Sequence, residues 1–472
     1  MSLDPTPEVM RATLHIAADA ALRLYSRNRG PGLPPPPAPI PTQSENPLPT
    51  SGRPLATVIQ ELELRLREGL DASAHPNFLA LIPSAGNFAS LVSEHLVTAA
   101  NANAALQRTA PGAAELETLA IAWVAAFLGY SPQAEGLFVS GSSMANLTAL
   151  TVARDRAQPE GRDAGRSGLP TLVIYTSAAA HHCLEKCAAL LGLGRHAIIR
   201  LATDPCGRLD PRDLATRLLA DRASGRSVAA VVATLGTPDL GAIDPLLEIG
   251  DLCAKHGVWL HLDAAYGGVA AAVVGQSDLL DSCDSIALDL HKWLFAPYEA
   301  GCVLLKTPGL LTQSFAGRAD YLDDWLDPNQ RDPMQKGFEL SRRVRAAQVW
   351  ALFSVYGAAA LRAEIRRHCE LARHLGAALV ATGRFELLAR PELSIVGFRV
   401  LWRRTLPPAT ELDRLVDLVD ALRAGEPAFQ VGILRRPRLG LRVCIVNPEC
   451  RAATVNELAE RLSALVEDSL QG

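Results

Sequence analysis

Amines are scarce in this 472-residue chain. Only five of its 46 basic residues are lysines: Lys186, Lys255, Lys292, Lys306 and Lys336. Any chemistry that needs a primary amine on a side chain has those candidates and no others. A basic excess is also missing, because 50 acidic residues leave a net charge of −4. That argues against nucleic acid or an anionic membrane as the partner, since nothing is left over to neutralise phosphates. No two of the nine cysteines have CxxC spacing, and most lie in apolar runs such as LRVCIVN. They are expected to be free thiols packed as small hydrophobes, with neither a disulfide framework nor a metal site. No uninterrupted apolar run reaches the ~18 residues needed to cross a bilayer. The first 27 residues carry charges throughout and lack a signal-peptide core. A cytoplasmic location is the expectation. What is present is hydrophobic residue, 49% of the chain, enough for a large core and too much for disorder over most of the length. At ~150 residues per domain the length fits two or three domains, or one α/β unit with appendages.

Residues 8–27 have helical spacing, with Val9, Leu14, Ile16, Ala20 and Leu24 apolar. A Pro-rich stretch, 31–49, reads as an extended connector. A second helix is expected over 54–70, opened by Pro54. Between about 113 and 306, helical segments alternate with short apolar runs: GLFVS, TLVIYTS, HAIIRLA, VAAVVATLG, VWLHLDAA, SIALD and GCVLLK. That alternation predicts an α/β fold, a mostly parallel sheet covered by helices on both faces. Chemistry in such sheets collects at the carboxyl ends of the strands. Residues 314–337 are polar and punctuated by Gly and Pro, the composition of a lid. A long helix from 341 to about 380, broken near Gly357, leads into an α+β C-terminal region. There are no internal repeats.

Four strand ends carry candidate chemistry. VWLHLDAAYGG ends a strand at Asp263, where a buried carboxylate needs a cation or donors to compensate it. Alone, Asp263 also reads as a loop-organising or capping acid. SIALDLHKWLF ends a strand at Asp289, and Lys292 follows among Trp293, Leu294 and Phe295. A lysine partly desolvated in this way suits Schiff-base chemistry, although alone it also reads as a surface lysine. LFVSGSSMANLTAL runs from a strand through a Gly/Ser turn into a helix, where backbone N–H groups with Ser142 and Ser143 would cradle a phosphate. Either serine also reads as an ordinary N-cap. YTSAAAHHCLEK places His181 at a strand end, where an imidazole is a flat stacking partner or simply a satisfied surface residue. Together, the phosphate cradle, carboxylate, lysine and flat ring specify pyridoxal phosphate (PLP).

With these motifs the chain resembles the group II PLP-dependent decarboxylases, the aromatic-L-amino-acid and glutamate decarboxylase family, from about His75 to the C-terminus. HLDAAYGG and the HKW of LDLHKWLF are the most specific matches. HPNFLALIPSAGNF, PGAAELETLAIAWVAAFLGY and LGLRVCIVNPECRAATVNEL resemble further family segments. The resemblance implies a fold-type-I large domain (86–357), a small α+β domain (358–472) and an N-terminal helical segment (1–85) wrapped over the partner of a homodimer. It implies Lys292 as the Schiff-base lysine, Asp263 as partner of the pyridine nitrogen and His181 stacked on the ring. Ser142, Ser143 and His291 would lie about the phosphate, with Thr237 and Ala265 completing the cofactor pocket. Tyr321 matches the loop tyrosine that returns a proton to the substrate's α-carbon. Leu81, Ile82, Pro83 and Ala105 fall where the substrate side chain is held.

The chain also departs from the family. HPNFLALIP has Leu79, Leu81 and Ile82 where aromatic-specific members have aromatics, and ANANAALQRTAP lacks the one they place near Ala105. Asp289 stands where those members have Asn. The expected activity is L-amino-acid α-decarboxylation to an amine and CO2. The alternatives are an aldehyde-forming decarboxylase, another fold-type-I reaction such as transamination, and a catalytically dead PLP-binding regulator.

Overall fold

The computed structural model describes all residues except 1–5, 28, 31, 38–47, 83–84, 318–319, 328, 330–331, 437 and 472. Seven strands form the central sheet: β1 (Glu135–Val139), β2 (Leu172–Ser177), β3 (Ile198–Leu201), β4 (Ser227–Thr234), β5 (Trp259–Asp263), β6 (Ser285–Asp289) and β7 (Gly301–Leu305). Their order is β1-β7-β6-β5-β4-β2-β3. Every pairing from β6 to β3 is parallel, while β7 runs antiparallel to both its neighbours. All residues of β2, β5, β6 and β7 are buried, as expected for strands covered on both faces. Alternation divides them between two cores. Val173, Val231, Leu260, Leu262, Ile286 and Leu288 face one layer of helices. Ile174, Val232, Trp259, Ala287 and Val303 face the other.

A second sheet holds β8 (Phe385–Leu387), β9 (Ile395–Val400), β10 (Gly432–Leu434) and β11 (Gly440–Cys444), ordered β10-β11-β9-β8 and antiparallel throughout. It has its own core with the helices Pro408–Ala424 and Ala452–Gln471 and the second half of Ala346–Ala381. That long helix breaks at Gly357, whose φ of +74° lies in the left-handed region that glycine tolerates. In the small domain β10 begins only at Gly432. Gln430 instead bonds the segment before the large domain, its N–H donating to Asn77 O at 3.0 Å while its carbonyl accepts Leu79 N–H at 2.7 Å. The 314–337 stretch is less open than its composition suggests, with short 3₁₀ turns at Asp320–Trp325 and Pro333–Lys336. Much of the Pro-rich connector lies outside the described residues.

At the N-terminus, α1 (Pro7–Arg27) and α2 (Leu55–Gly69) pair through the Arg23–Glu63 bridge at 2.7 Å. Neither has a buried face: α2 buries no residue, and Val9, Leu14, Ile16, Leu22, Val58, Leu62 and Leu66 stay exposed. Two further helices lead into the sheet. The sequence reading gave no helix for α3 (Phe88–Ala100), although its cap is ordinary: Asn87 Oδ1 accepts Ser90 N–H at 2.8 Å. Then α4 (Pro111–Leu128) has the length and mean hydropathy of a spanning segment, but Glu117 interrupts it and packs inward. Arg342 meets Glu117 bidentately at 2.8 and 3.0 Å, with both side chains buried. The pair also holds the backbone of Phe138: Glu117 accepts its N–H at 3.0 Å and Arg342 donates to its carbonyl at 2.7 Å. β1 is thereby fixed just ahead of the Gly/Ser turn. Arg342→Ala should strand Glu117 in the core and lower stability by about 3–5 kcal/mol, read from urea unfolding. A loss under ~1 kcal/mol would show that water replaces the guanidinium.

Candidate active site

The carboxyl ends of β4, β5 and β6 open into a cleft of about 620 Å³. The small domain closes its far side with Ile433, Leu434 and Arg442, and the 80–82 segment supplies Leu81 and Ile82. Ser142, His181, Thr234, Asp263, Ala265 and Lys292 line its floor.

Lys292 sits in the one-turn helix Leu290–Trp293 that begins where β6 ends. The turn is clamped on both sides. Trp293 is fully buried, stacked on Tyr266 at 5.0 Å, and its Nε1–H donates to His368 Nδ1 at 2.9 Å. Phe295 adopts φ +62°, a conformation that costs a bulky residue of order 1–3 kcal/mol and persists only when its surroundings enforce it. Here Asn87 Nδ2 donates to its carbonyl at 2.9 Å, and its ring packs edge-on to His368.

The Lys292 ammonium lies 3.0 Å from Asp289 Oδ2. That carboxylate also accepts the backbone N–H of Ser142 at 2.5 Å and its hydroxyl at 2.6 Å, with His291 Nε2 at 3.5 Å. Burial pushes the Asp289 carboxyl up, but Lys292, His291 and the Ser142 bond outweigh it, and the net shift is downward. Ser142 is the first residue of α5 (Ser142–Ala157). Asp289 therefore stands at a helix N-terminus as an anion would.

Asp263 is buried at the end of β5. Its donors are the Ala265 N–H at 3.2 Å and Asn146 Nδ2 at 3.3 Å. Burial raises its pKa, and Lys292 opposes the rise. Ser142 and Asn146 lie one turn apart on α5, so one helix face serves both acids. His181 Nδ1 accepts the Cys183 N–H at 3.2 Å, which leaves Nε2 as the edge that carries its proton. Burial, then the charges of His182 and Lys292, lower its pKa to about 4. At neutral pH it is an uncharged flat ring.

Several expected residues are elsewhere. Ser143, one position on from Ser142, is exposed and does not line the cleft, its side chain meeting the Cys183 thiol instead. Thr237 is buried, but its hydroxyl accepts Ala242 N–H at 3.0 Å inside its own turn. The cleft hydroxyl is instead that of Thr234, the last residue of β4, which the sequence reading missed. Ala105 is buried, and its carbonyl accepts Met334 N–H at 3.2 Å. Tyr321 is 73% exposed and does not line the cleft of its own chain. Its loop is held aside: Arg108 donates to Asp324 O, and Asp332 accepts the N–H groups of Gln107 and Asp327 at 2.7 and 2.6 Å. Pro83 lies outside the described residues. His291 borders the cleft through Asp289.

The chain matches the pyridoxal-dependent decarboxylase conserved domain over residues 37–401 and belongs to that family. It is 33% identical over 400 residues to the aromatic-L-amino-acid decarboxylase of Bacillus atrophaeus, covering 84% of this chain and 82% of the relative. It is 32% identical over 424 residues to the L-2,4-diaminobutyrate decarboxylase of Rhizobium meliloti, covering 88% and 83%. The solved structure of Oryza sativa TDC with PLP and tryptamine matches with TM-score 0.89 at 25% identity, covering 99% of this chain and 100% of that one. The protein is a PLP-dependent amino acid decarboxylase of fold type I, a carboxy-lyase.

The cleft fits that cofactor. Among the described residues, the buried Thr234 hydroxyl has no hydrogen-bond partner, Asp263 has two long ones, and the Ser142 donors already hold an anionic oxygen.

The low pKa of His181 gives a pH prediction. Between about pH 4 and the ordinary imidazole value near 6.5, the unfolded chain binds a proton that folded His181 refuses. Its contribution to stability is therefore present above that window and is lost as pH falls through it. His181→Asn should reduce the difference between urea midpoints at pH 7 and pH 4.5. An unchanged difference would mean that His181 titrates alike in both states.

Proposed function

We propose that the enzyme is a homodimeric, cytoplasmic decarboxylase of L-amino acids with apolar side chains. The observation that carries the substrate class is the cleft wall. Leu81, Ile82, Ile433 and Leu434 face the space above Lys292. Asp239 and Arg442 share that wall with opposite formal charges, so the cleft offers a charged side chain no clear net attraction.

In this reading Lys292 would tether PLP, Asp263 would keep a proton at the pyridine nitrogen, and neutral His181 would offer its flat face to the ring. Ser142, Thr234, Ala265 and His291 complete the cofactor's surroundings. Bound PLP supplies the sink for the electron pair left when the α-carboxylate departs as CO2. The Tyr321 hydroxyl then gives a proton to the α-carbon.

Because Tyr321 is exposed and outside its own cleft, we assign it to the cleft of the neighbouring subunit. The unpartnered apolar faces of α1 and α2 support that dimer. Nine free cysteines, eight of them buried, fit a reducing compartment.

Incubation with the common L-amino acids, followed by mass spectrometry for loss of CO2, tests the substrate class. Turnover confined to acidic or basic substrates would overturn it. Borohydride reduction should leave the pyridoxyl adduct on Lys292, and an adduct on another lysine would overturn that assignment. Lys292→Ala should be inactive, and Tyr321→Phe should yield aldehyde in place of amine. Mixed dimers of these two variants should regain amine production at one of their two clefts. Without that recovery, Tyr321 does not act across the dimer.

A further inference from the structure

A chain of buried hydrogen bonds leads away from the cleft behind Asp263. Asn146 Nδ2 donates to Asp263 Oδ2 at 3.3 Å, and Asn146 Oδ1 lies 2.7 Å from His261 Nε2. His261 Nδ1 lies 2.8 Å from Ser285 Oγ, which also accepts the Trp259 indole N–H at 2.8 Å. Asn146, His261 and Ser285 are wholly buried, and Trp259 nearly so. The sheet builds the chain directly. Trp259, His261 and Asp263 are alternate residues of β5 on one face, and Ser285 is the register partner of His261 on β6. Asn146 comes down from α5.

The two ends of this chain differ in kind. An indole can only donate, and an ionised carboxylate can only accept. With Trp259 donating to Ser285, the Ser285 hydroxyl points its proton at His261 Nδ1. His261 must then carry its own proton on Nε2 and donate to Asn146 Oδ1, which turns the Asn146 amide N–H towards Asp263. The reverse polarity would require a protonated Asp263 and a flipped Asn146. It would also leave the Ser285 hydroxyl proton with no acceptor in the chain, a costly state for a buried group. Burial lowers the His261 pKa to about 3, so the imidazole stays neutral and able to relay. The titratable groups that also act on Asp263 are Lys292 and Asp289, from the turn after β6 and the end of β6, and Cys183 and Cys187 on the helix Cys183–Leu190.

We propose that Trp259, Ser285, His261 and Asn146 are positioning residues whose one-way hydrogen-bond chain holds Asp263 in its ionised form for the pyridine nitrogen. The proposal rests on the assignment of Asp263 to that nitrogen. Bonds that all point the same way polarise one another, so the indole acts on the carboxylate through three intervening residues.

The first test needs no variant and no cofactor. In the apo-protein labelled with ¹⁵N-histidine, His261 should be the neutral Nε2–H tautomer from pH 5 to pH 8. A neutral Nδ1–H form or a cation there would overturn the proposal. In the holoenzyme, His261→Leu should shift the pH midpoint of the cofactor absorption band by about one unit and weaken PLP binding about tenfold. His261→Gln, whose side-chain amide replaces the Nε2–H donor, should restore most of both. A folded His261→Leu protein with parental midpoint and PLP affinity would also overturn it. The underlying assignment fails separately: Asp263→Ala with normal turnover and an unchanged absorption band would remove Asp263 from the pyridine nitrogen, whatever the tautomer of His261.

Discussion

Two carboxylates buried at the ends of adjacent strands, with one ammonium for both, are the constraint around which the site is built. Asp263 and Asp289 would each cost several kcal/mol if left uncompensated. Lys292 bonds Asp289 and exerts its charge on Asp263. One face of α5 supplies the rest, Ser142 to Asp289 and Asn146 to Asp263. Their pKa values move apart as a result, down for Asp289 and up for Asp263. The first stays tied to the lysine and the helix terminus. The second has the lighter solvation, and a cationic ring nitrogen would complete it.

What the sequence made legible follows from where the chemistry sits. Asp263, Lys292, Ser142 and His181 all stand at the end of an apolar run, so a rule about strand ends finds them. Thr234 obeys the same rule as the last residue of β4, yet the family resemblance points to Thr237, three residues later. Nothing in ATLGTP tells which hydroxyl the turn consumes. Asn146 was hidden because its meaning comes from a helix face meeting two strands. His261 and Ser285 were hidden because their contact is a matter of register. Ile433, Leu434 and Arg442 reach the cleft from more than 140 residues beyond Lys292, and no local pattern announces them. Tyr321 shows the converse: a motif match locates the residue in the chain without locating it in space.

The fold itself was easier to read, because continuous apolar runs and helical spacing are local signals. All seven runs named from the sequence became strands of one sheet. The direction of β7 was not readable, since GCVLLK is equally apolar in either sense. The short strand Phe385–Leu387 was missed, its three residues being too few for alternation to register. The clamp on the Lys292 turn joins the β6 end to Asn87 and His368, so it too is assembled from positions far apart in the chain.

The Glu117–Arg342 pair has a consequence beyond its effect on the core. β1 is one of the two outermost strands of the sheet, bonded among the described residues only to β7. An edge strand of this kind, reading EGLFV, offers bare backbone groups to any other extended chain, the usual starting point of strand-to-strand aggregation. At Phe138 both groups are already taken, the N–H by a carboxylate and the carbonyl by a guanidinium. A foreign strand would have to break a buried ion pair before it could add there. The same two side chains that fix β1 ahead of the Gly/Ser turn also hinder an intermolecular strand from adding at the β1 edge.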